Sequence, residues 1–364
     1  MLNLLYFFIL IHLAEGELQM RKCSVFSVTV VLIALMTGIA FATEWSLYGS
    51  ARVATFFTSR DLKDEGPDDA GRTRINTTQW DLQPNSRIGA KVTGDVIDAL
   101  AEVGVNETNV TARKIYGVWK FADGWGLKIG KDETPILFGL SNQVFNNDQN
   151  LWQWGNAYGG RVGQIAIEGR GFKLAAISPA SAETVDPTGN VAAVGVENDW
   201  PKFEASYRYA FADNMSAHIF GGWQNYKFYV LLNDGTTNSG TITSLAIGTG
   251  ADLNFGPVYV KPQISWYRNG AAAGWLEGTL QGDADVPVAP VIRPDGQVTD
   301  IDTLMAMLAI GYSVTERVRL ETGGGYLRSE GKENTNNFYA LYLQSVLILA
   351  PSVYLVPEIG YINY

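Results

Sequence analysis

The sequence is poor in the residues on which most redox, metal and covalent chemistry depends. Its 364 residues contain one cysteine, Cys23, and two histidines, His12 and His218. Disulfide frameworks need paired cysteines, and zinc sites and activated nucleophiles draw largely on cysteine and histidine. The sequence also lacks an HExxH motif, a phosphate-binding loop and a nucleophile elbow. We therefore expect no enzyme activity, no metal site and no cofactor.

Basic runs are missing as well. Lys and Arg total 27 against 37 Asp and Glu, which gives a formal charge of −10 at neutral pH. Binding to nucleic acid requires clustered cations that neutralise phosphates. We therefore exclude nucleic acid as a partner.

Residues 1–42 contain the three parts of a secretory signal peptide. Residues 20–22 are a positively charged start, residues 25–39 form an apolar run, and Ala40 and Ala42 are the small residues of a cleavage site. The alternative is a membrane anchor, because the apolar run approaches the roughly 20 residues that span a bilayer. The two alanines favour the signal peptide.

The leader has consequences for the start of the protein. A second apolar stretch precedes Met20 without a basic start, so we expect Met20 to be the true initiator. Cleavage after Ala42 leaves Thr43 as the first mature residue and removes the only cysteine. We expect residues 43–364 to form one domain.

Long apolar runs are absent after residue 43, where no stretch approaches the roughly 18 apolar residues of a membrane helix. Short segments alternate instead, as in 44–57, where Trp45 and Leu47 alternate with Glu44 and Ser46. Strands cross a membrane only as a closed barrel, because lipid offers no partner to an unpaired edge. The pattern predicts an all-β fold, a transmembrane antiparallel β-barrel. A soluble β-sandwich is the alternative, and it is disfavoured by the almost entirely apolar second face with aromatics near strand ends.

The pattern contains fifteen strand segments: 44–57, 86–93, 97–105, 111–121, 125–131, 160–169, 172–178, 201–211, 215–232, 241–254, 258–268, 301–313, 317–328, 337–349 and 353–364. Short connections lie at 122–124, 212–214, 255–257 and 350–352, and long polar loops at 59–75, 132–159, 179–199 and 269–300. Short turns at one end and long loops at the other are typical of outer-membrane barrels. These barrels have even strand numbers, so we predict sixteen strands. The extra strand is expected in 269–300, or from a division of 215–232.

Several motifs resemble the Gram-negative general porins. Residues 85–89 resemble their second strand, and residues 116–117 with 126–131 resemble their fourth and fifth. A long loop, 132–159, follows at the place of their constriction loop. The resemblance covers most of residues 43–364 and implies a sixteen-stranded barrel, a homotrimer and a constriction loop folded into the lumen.

The resemblance to the porins is closer at the C-terminus than in the constriction loop. Tyr364, with Ile362 two residues before it, resembles the terminal aromatic that the barrel-assembly machinery recognises, which makes both residues an assembly signal. The nearest match to the acidic core of the porin constriction loop is 135–139, and it lacks the acid. The sign of any ion selectivity therefore does not follow from the resemblance.

The candidate functional site is a set of charges facing the inward-folded loop. Arg52, Arg87, Lys91, Lys128, Arg317 and Arg319 fall on polar strand faces, and Asp132, Glu133 and Asp148 lie in the loop. Opposed charges across a narrow lumen filter ions by sign, because low-dielectric walls focus the field. The alternative is that these charges only keep the lumen wet. His218 is interpreted as a pore-lining or rim residue.

The same loop carries Trp152, Trp154 and Tyr158 among amide side chains. Aromatic rings beside amides bind sugars, which predicts a carbohydrate-preferring pore. The alternative is that the rings pack the loop against the inner wall.

Together these features predict a bacterial outer-membrane porin, a channel for passive diffusion of ions and small hydrophilic solutes. The total charge suggests weak cation selectivity. A plugged barrel that serves as an adhesin or structural protein is the alternative. The expected partners are outer-membrane lipid and lipopolysaccharide, the barrel-assembly machinery, small hydrophilic solutes and two further copies of the chain.

Overall fold

The computed structural model describes residues 44–62, 71–139, 141–148, 150–182, 184–185, 192–232, 234–276, 279–280, 283–287, 289–293, 295–331 and 335–363. The predicted signal peptide, its cleavage site and Tyr364 lie outside these residues. The described chain is almost entirely strand, with one short helix, α1 (Phe145–Asp148). None of its helices has the length and apolarity needed to cross a membrane.

The strands are β1 (Glu44–Ser50), β2 (Val53–Asp61), β3 (Arg74–Leu82), β4 (Arg87–Thr93), β5 (Ile97–Val105), β6 (Val110–Ala122), β7 (Trp125–Glu133), β8 (Arg161–Gly169), β9 (Phe172–Ile177), β10 (Thr184–Val185), β11 (Ala192–Glu197), β12 (Lys202–Ala212), β13 (Met215–Leu231), β14 (Thr237–Phe255), β15 (Val258–Arg268), β16 (Thr279–Leu280), β17 (Asp283–Pro287), β18 (Val291–Ile292), β19 (Val298–Thr299), β20 (Asp302–Thr315), β21 (Val318–Glu330), β22 (Thr335–Ala350), β23 (Val353–Leu355) and β24 (Glu358–Asn363).

Seventeen of these strands form one antiparallel sheet. β11 and β12 both pair with β13, and β23 and β24 both pair with β22, so each of these two pairs occupies a single position. The described sheet therefore has fifteen positions, and each of the fifteen predicted segments overlaps one of them. The segment 44–57 was wrongly predicted as one strand, because it is divided between β1 and β2, and β2 lies outside the main sheet. The prediction of an antiparallel all-β fold is confirmed.

The sixteenth strand has no counterpart among the described residues. Residues 215–231 form one uninterrupted strand, and the described strands within 269–300 are short and lie outside the main sheet, so both suggested places for it were wrong. In the described residues no pairing joins β1 to β24, and these two strands run in the same direction, from the short turns toward the long loops. A barrel that is antiparallel throughout needs one further strand between them. Sixteen strands therefore stays a prediction.

One hairpin was missed from the sequence. Residues 59–75 were expected to be a loop, but β2 continues to Asp61 and β3 begins at Arg74, and the two strands pair along their whole length. The sequence of β3, RINTTQWDL, places polar residues on both faces, so its alternation is weak. A hairpin that rises beyond the wall of the barrel has no apolar face to reveal it.

Short turns close one end of the sheet. β6 and β7, β12 and β13, β14 and β15, and β22 and β23 are joined by two residues each, as predicted. Between β8 and β9, Arg170 and Gly171 both have positive φ, 51° and 84°, the backbone of a type I′ hairpin turn. The opposite end carries the long loops, so the two ends differ as they do in outer-membrane barrels.

The two faces of the sheet have opposite polarity. The outer face carries exposed apolar side chains, such as Leu47 and Ile359, which are 79% and 73% exposed. The inner face carries buried amides and hydroxyls, among them Gln224, Ser244, Gln263 and Gln344. A soluble protein hides its apolar side chains, whereas a barrel in lipid turns them outward. The distribution is that of a membrane barrel.

The sheet wraps around the constriction loop, defined here as residues 134–160. Asp148 of this loop forms an ion pair with Arg52, beside β1 at one edge of the sheet. The backbone amide of Val144 donates to Glu358 of β24, at the other edge, over 2.8 Å. One loop reaches both edges only if the sheet curls around it, so the predicted inward-folded loop is confirmed.

Candidate pore and its constriction loop

A buried carboxylate on the far wall holds the middle of the constriction loop. Glu321 of β21, 2% exposed, accepts hydrogen bonds from the backbone nitrogen of Asn142 at 2.9 Å and the Tyr342 hydroxyl at 2.6 Å. Tyr259 and Gln344 donate to the same carboxylate. A buried polar group that is cut off from water depends on such protein hydrogen bonds, and losing them is costly. Glu321 therefore anchors the loop to β15, β21 and β22.

Ring stacking holds the start of the loop. The Phe138 ring lies 3.8 Å from the His218 ring, centroid to centroid, at an angle of 11°. His218 is on the inner face, as predicted, but it is buried beneath the loop. The Asn156 side chain bonds both Phe138 and Gln263 of β15, at 2.9 and 2.8 Å. These contacts pack the start of the loop against the wall formed by β13 and β15.

Two glycines let the loop backbone lie directly on the wall. A Cβ added to Gly325 of β21 would come within 1.4 Å of the Trp154 carbonyl oxygen. Gly155, at a φ of +129°, would place a Cβ 2.3 Å from the Ala306 carbonyl oxygen. Any side chain at either position would push the loop away, since such distances are far below van der Waals contact.

The tip of the loop reaches the opposite side. Asp148 binds Arg52, and the Asn85 side chain donates to Asp148 at 3.1 Å. Phe145 meets Phe56 edge to face, with ring centroids 5.2 Å apart. The short helix α1 thus presents its acidic end to β1, β2 and the turn before β4.

These contacts divide the inner surface into two parts. The covered wall consists of the inner faces of β12–β15, β20–β22 and β24, against which the loop lies. The open wall consists of the inner faces of β1 and β4–β7. On this side, the loop makes its hydrogen bonds and ring contacts through its tip. Apolar side chains of the loop and the covered wall form one buried cluster that includes Ile136, Trp154, Phe220 and Met305.

The open wall carries a charged cluster. Glu102 of β5 accepts hydrogen bonds from Arg113 and Tyr48, each at 2.8 Å, and Arg87 of β4 lies 3.7 Å from the same carboxylate. Arg113 also donates to the Asn85 side chain at 2.6 Å. Arg87 and Arg52 were predicted as pore residues, and the structure brings both to this wall, whereas Glu102, Arg113 and Tyr48 were missed.

Lys91, also predicted, lies on the same face of β4 as Arg87, four residues along, and is exposed. It therefore belongs to the open wall. Its neighbour on β1 is Ser46.

Three of the predicted residues, Lys128, Asp132 and Glu133, belong to one network of ion pairs on a single wall. The Lys128 ammonium lies 2.8 Å from Asp132 and 2.9 Å from Glu168. Lys114 bridges Asp132 and Glu133 at 3.2 and 3.1 Å. The expectation that Asp132 and Glu133 face strand charges across the lumen was wrong, because both belong to β7 and pair with their strand neighbours.

Arg317 and Arg319 lie away from the constriction loop. Arg317 is exposed in the short turn between β20 and β21, and Arg319 is exposed two residues before Glu321 on the same face of β21. Both belong to the short-turn mouth and not to the constriction.

The aromatic side chains of the constriction loop mainly pack against neighbouring residues. Trp154 is fully buried against the covered wall. The Trp152 and Tyr158 rings pack at a tilt of 50° with centroids 5.3 Å apart, and the Tyr158 hydroxyl accepts a hydrogen bond from Arg161 at 3.0 Å. Trp154 therefore offers no free face for a sugar, and the packing alternative describes it correctly.

A cavity of about 1070 Å³ opens between the constriction loop and the short turns. Lys120, Lys173, Arg208 and Asp252 line it together with the first residues of the loop. This vestibule was not visible in the sequence, because its lining residues come from strands far apart in the chain.

The assembly signal falls partly within the described chain. Ile362 of β24 lies opposite Ala340 and packs against the buried cluster of the lumen. The strand ends at the long-loop end of the sheet. Recognition of Ile362 and Tyr364 by an assembly factor stays a prediction.

No protein-family model and no curated protein matches the chain. Solved structures do match it. The outer membrane channel DcaP of Acinetobacter baumannii superposes with a TM-score of 0.63 at 15% identity, over 88% of this chain and 90% of that one. OmpT, an outer membrane protein of Vibrio cholerae, gives a TM-score of 0.53 at 13% identity, over 90% and 88%.

The anion-selective porin from Comamonas acidovorans gives a TM-score of 0.53 at 14% identity, over 88% of this chain and 89% of that one. Identities this low concern the fold and not the function. The chain therefore has the fold of Gram-negative outer-membrane porins, and the resemblance found in its sequence is confirmed at that level.

Proposed function

We propose that this protein is an outer-membrane channel through which ions and small hydrophilic solutes diffuse between the constriction loop and the open wall. The observation that carries the proposal is the division of the lumen: one half is packed against the loop, and the other half keeps a charged, partly exposed surface. Charged side chains in a low-dielectric tube provide a path for water and ions. The channel and porin names of the similar structures support the same function.

The charge of the open wall suggests which ions enter. Around the loop tip, the described residues place the cations Arg52, Arg87, Lys91 and Arg113 against the carboxyl groups of Glu102, Asp148 and Glu358. The local balance is positive, opposite in sign to the total charge of −10. Lumen charges outweigh distant loop charges, which salt screens within about 8 Å. We therefore propose a preference for anions in place of the cation selectivity suggested by total charge.

Reconstitution into planar bilayers tests the channel. We expect discrete and uniform conductance steps, because a fixed passage gives one open level. A plugged barrel, the alternative function, gives no steps. The buried apolar cluster that fills the covered half of the lumen is the observation that favours this alternative. Purified protein that inserts into the bilayer and stays silent would establish it.

Neutralising two arginines tests the selectivity. In the double variant Arg52→Gln, Arg87→Gln, we expect the reversal potential in a salt gradient to move toward that of a cation-selective channel. The reason is that less positive charge remains in the focused field of the constriction. The matched control is Arg328→Gln, which removes an arginine from an exposed surface pair. An unchanged reversal potential in the double variant contradicts the assignment of these arginines to the passage.

The remaining properties follow from the same proposal. The signal peptide directs export and is cleaved before Thr43. The barrel-assembly machinery then inserts the protein into the outer membrane, where lipid and lipopolysaccharide surround it. It passes solutes without changing them chemically. A homotrimer is proposed from the porin resemblance, and a trimer form of the similar Vibrio cholerae OmpT supports it.

A further inference from the structure

A second segment folds into the lumen beside the constriction loop. Residues 269–276, called the inner segment here, follow β15 at the long-loop end, where connections normally lie on the surface. Yet Asn269, Ala272, Ala273 and Trp275 are completely buried. The Trp275 ring lies on Gly222 of β13, where an added Cβ would come within 2.5 Å of the ring.

A buried ion pair on β12 holds this segment. The Lys202 ammonium donates to the Ala273 carbonyl at 2.7 Å and lies 3.3 Å from Glu204, and both side chains are at most 2% exposed. The Trp275 indole nitrogen donates to Glu204 at 2.8 Å. One charge therefore binds the backbone of the segment, and the other binds its largest side chain.

Further hydrogen bonds fix the first half of the segment. Ser244 of β14 donates to the Asn269 carbonyl at 2.9 Å, and Gln224 of β13 donates to the Ala272 carbonyl at 3.2 Å. The segment is thereby tied to three neighbouring strands, β12, β13 and β14. The buried carbonyl groups of Asn269 and Ala272 therefore have hydrogen-bond partners, as buried polar groups in a protein core do.

The inner segment also meets the constriction loop. The Tyr158 amide donates to the Trp275 carbonyl at 3.2 Å, and the Ile136 amide donates to Glu204 at 3.3 Å. Glu204 thus binds both inward elements at once. Neither Lys202 nor Glu204 borders the open wall.

We propose that the inner segment is a second constriction element, and that Lys202 and Glu204 are positioning residues that hold it so that solutes pass along the open wall only. The inference rests on the proposed channel function and names the part that closes its other side. Removing one member of a buried ion pair leaves an uncompensated charge that draws in water. Loss of either partner therefore loosens the segment and opens a route along β12–β14.

A thiol probe behind the segment tests the seal without relying on ion flow. Residues 43–364 contain no cysteine, so the variant Ser244→Cys places a single thiol under Asn269 in the reconstituted mature barrel. We expect slow reaction with a charged methanethiosulfonate reagent, and a rate at least about tenfold higher once Lys202→Met is added. Tenfold corresponds to about 1.4 kcal/mol of local opening free energy.

A matched control separates sealing from general loosening. Asp98→Asn breaks the Lys120–Asp98 pair of the open wall, which lies far from the segment, and should leave the thiol rate unchanged. If Lys202→Met does not fold, the double variant Lys202→Met, Glu204→Leu replaces it. It leaves no unpaired charge but still loses the bonds to Ala273 and Trp275.

Conductance gives the second readout. We expect the Lys202→Met channel to show a higher single-channel conductance than the wild type, with unchanged mobility of the unheated barrel in gels. An unchanged thiol rate in a folded variant overturns the inference, and so does an unchanged conductance in a variant whose thiol has become reactive. A wild type that never conducts refutes the proposed function instead, and the thiol rates then still decide whether the segment seals this side.

Discussion

Deleting residues 141–155 is expected to raise the single-channel conductance several-fold. These residues carry the loop from Glu321 and Glu358 on one side to Arg52 on the other, so their removal clears the middle of the lumen. Conductance of a water-filled channel rises with its narrowest cross-section. Planar-bilayer recordings of the deletion variant and the wild type in the same salt measure the change.

The deletion also carries a stability cost that serves as an internal check. The deletion removes Leu151 and Trp154 from the buried cluster, so apolar side chains of the covered wall that share this cluster would be left facing water. Their exposure should lower the unfolding temperature of the barrel. The control replaces Asp234 and Thr236 by alanine, in an exposed turn at the same end of the sheet, and should change neither quantity. A deletion variant that conducts like the wild type would show that the passage bypasses the loop.

Glu321→Ala is expected to release the loop without removing it. The substitution deprives the Asn142 amide and the hydroxyls of Tyr259 and Tyr342 of their acceptor. Each buried group left unpaired costs about 1–3 kcal/mol. We expect open-channel current noise to increase, because the loop exchanges between positions, and the unfolding temperature to fall.

Two further variants sharpen this test. Glu321→Gln keeps an oxygen acceptor at the same place, so its effects should be smaller than those of Glu321→Ala. Glu330→Ala removes a carboxylate from the same strand, where it pairs with Arg328 at the surface, and exposed pairs of this kind contribute at most about 1 kcal/mol. If Glu321→Ala matches Glu330→Ala in both noise and unfolding temperature, Glu321 does not anchor the loop.

The strands were predictable because the signal that defines them is local. In segments such as 97–105, each side chain meets either lipid or lumen, and alternation along the strand records this directly. The turns at 122–124 and 255–257 were predictable for a related reason, since each contains a glycine, Gly124 or Gly256, that adopts a positive φ. β3 was missed because neither of its faces is consistently apolar.

The sequence predicted some residues of the site but not the contacts between them. Polar strand faces identified Arg52, Arg87 and Lys91 as inward residues, and the long segment before β8 identified the loop. Whether an inward charge is free or paired depends on neighbours elsewhere in the chain. Lys128 and Asp132 looked like opposing pore charges in the sequence, but they lie four residues apart on one strand and bind each other.

The sequence by itself determined the architecture of this protein. It has strands with one apolar face, short turns at one end, long loops at the other and a lumen lined with polar groups. Each of these properties follows from residues a few positions apart. Only the tertiary structure decided which half of the lumen stays open. That outcome depends on contacts such as the bond from Asn142 to Glu321, 179 residues apart, and from Trp275 to Glu204, 71 residues apart. No residue near either segment in the sequence identifies these partners. A loop that crosses a barrel contacts the strands on the opposite wall, and the order of the strands around the barrel decides which strands those are.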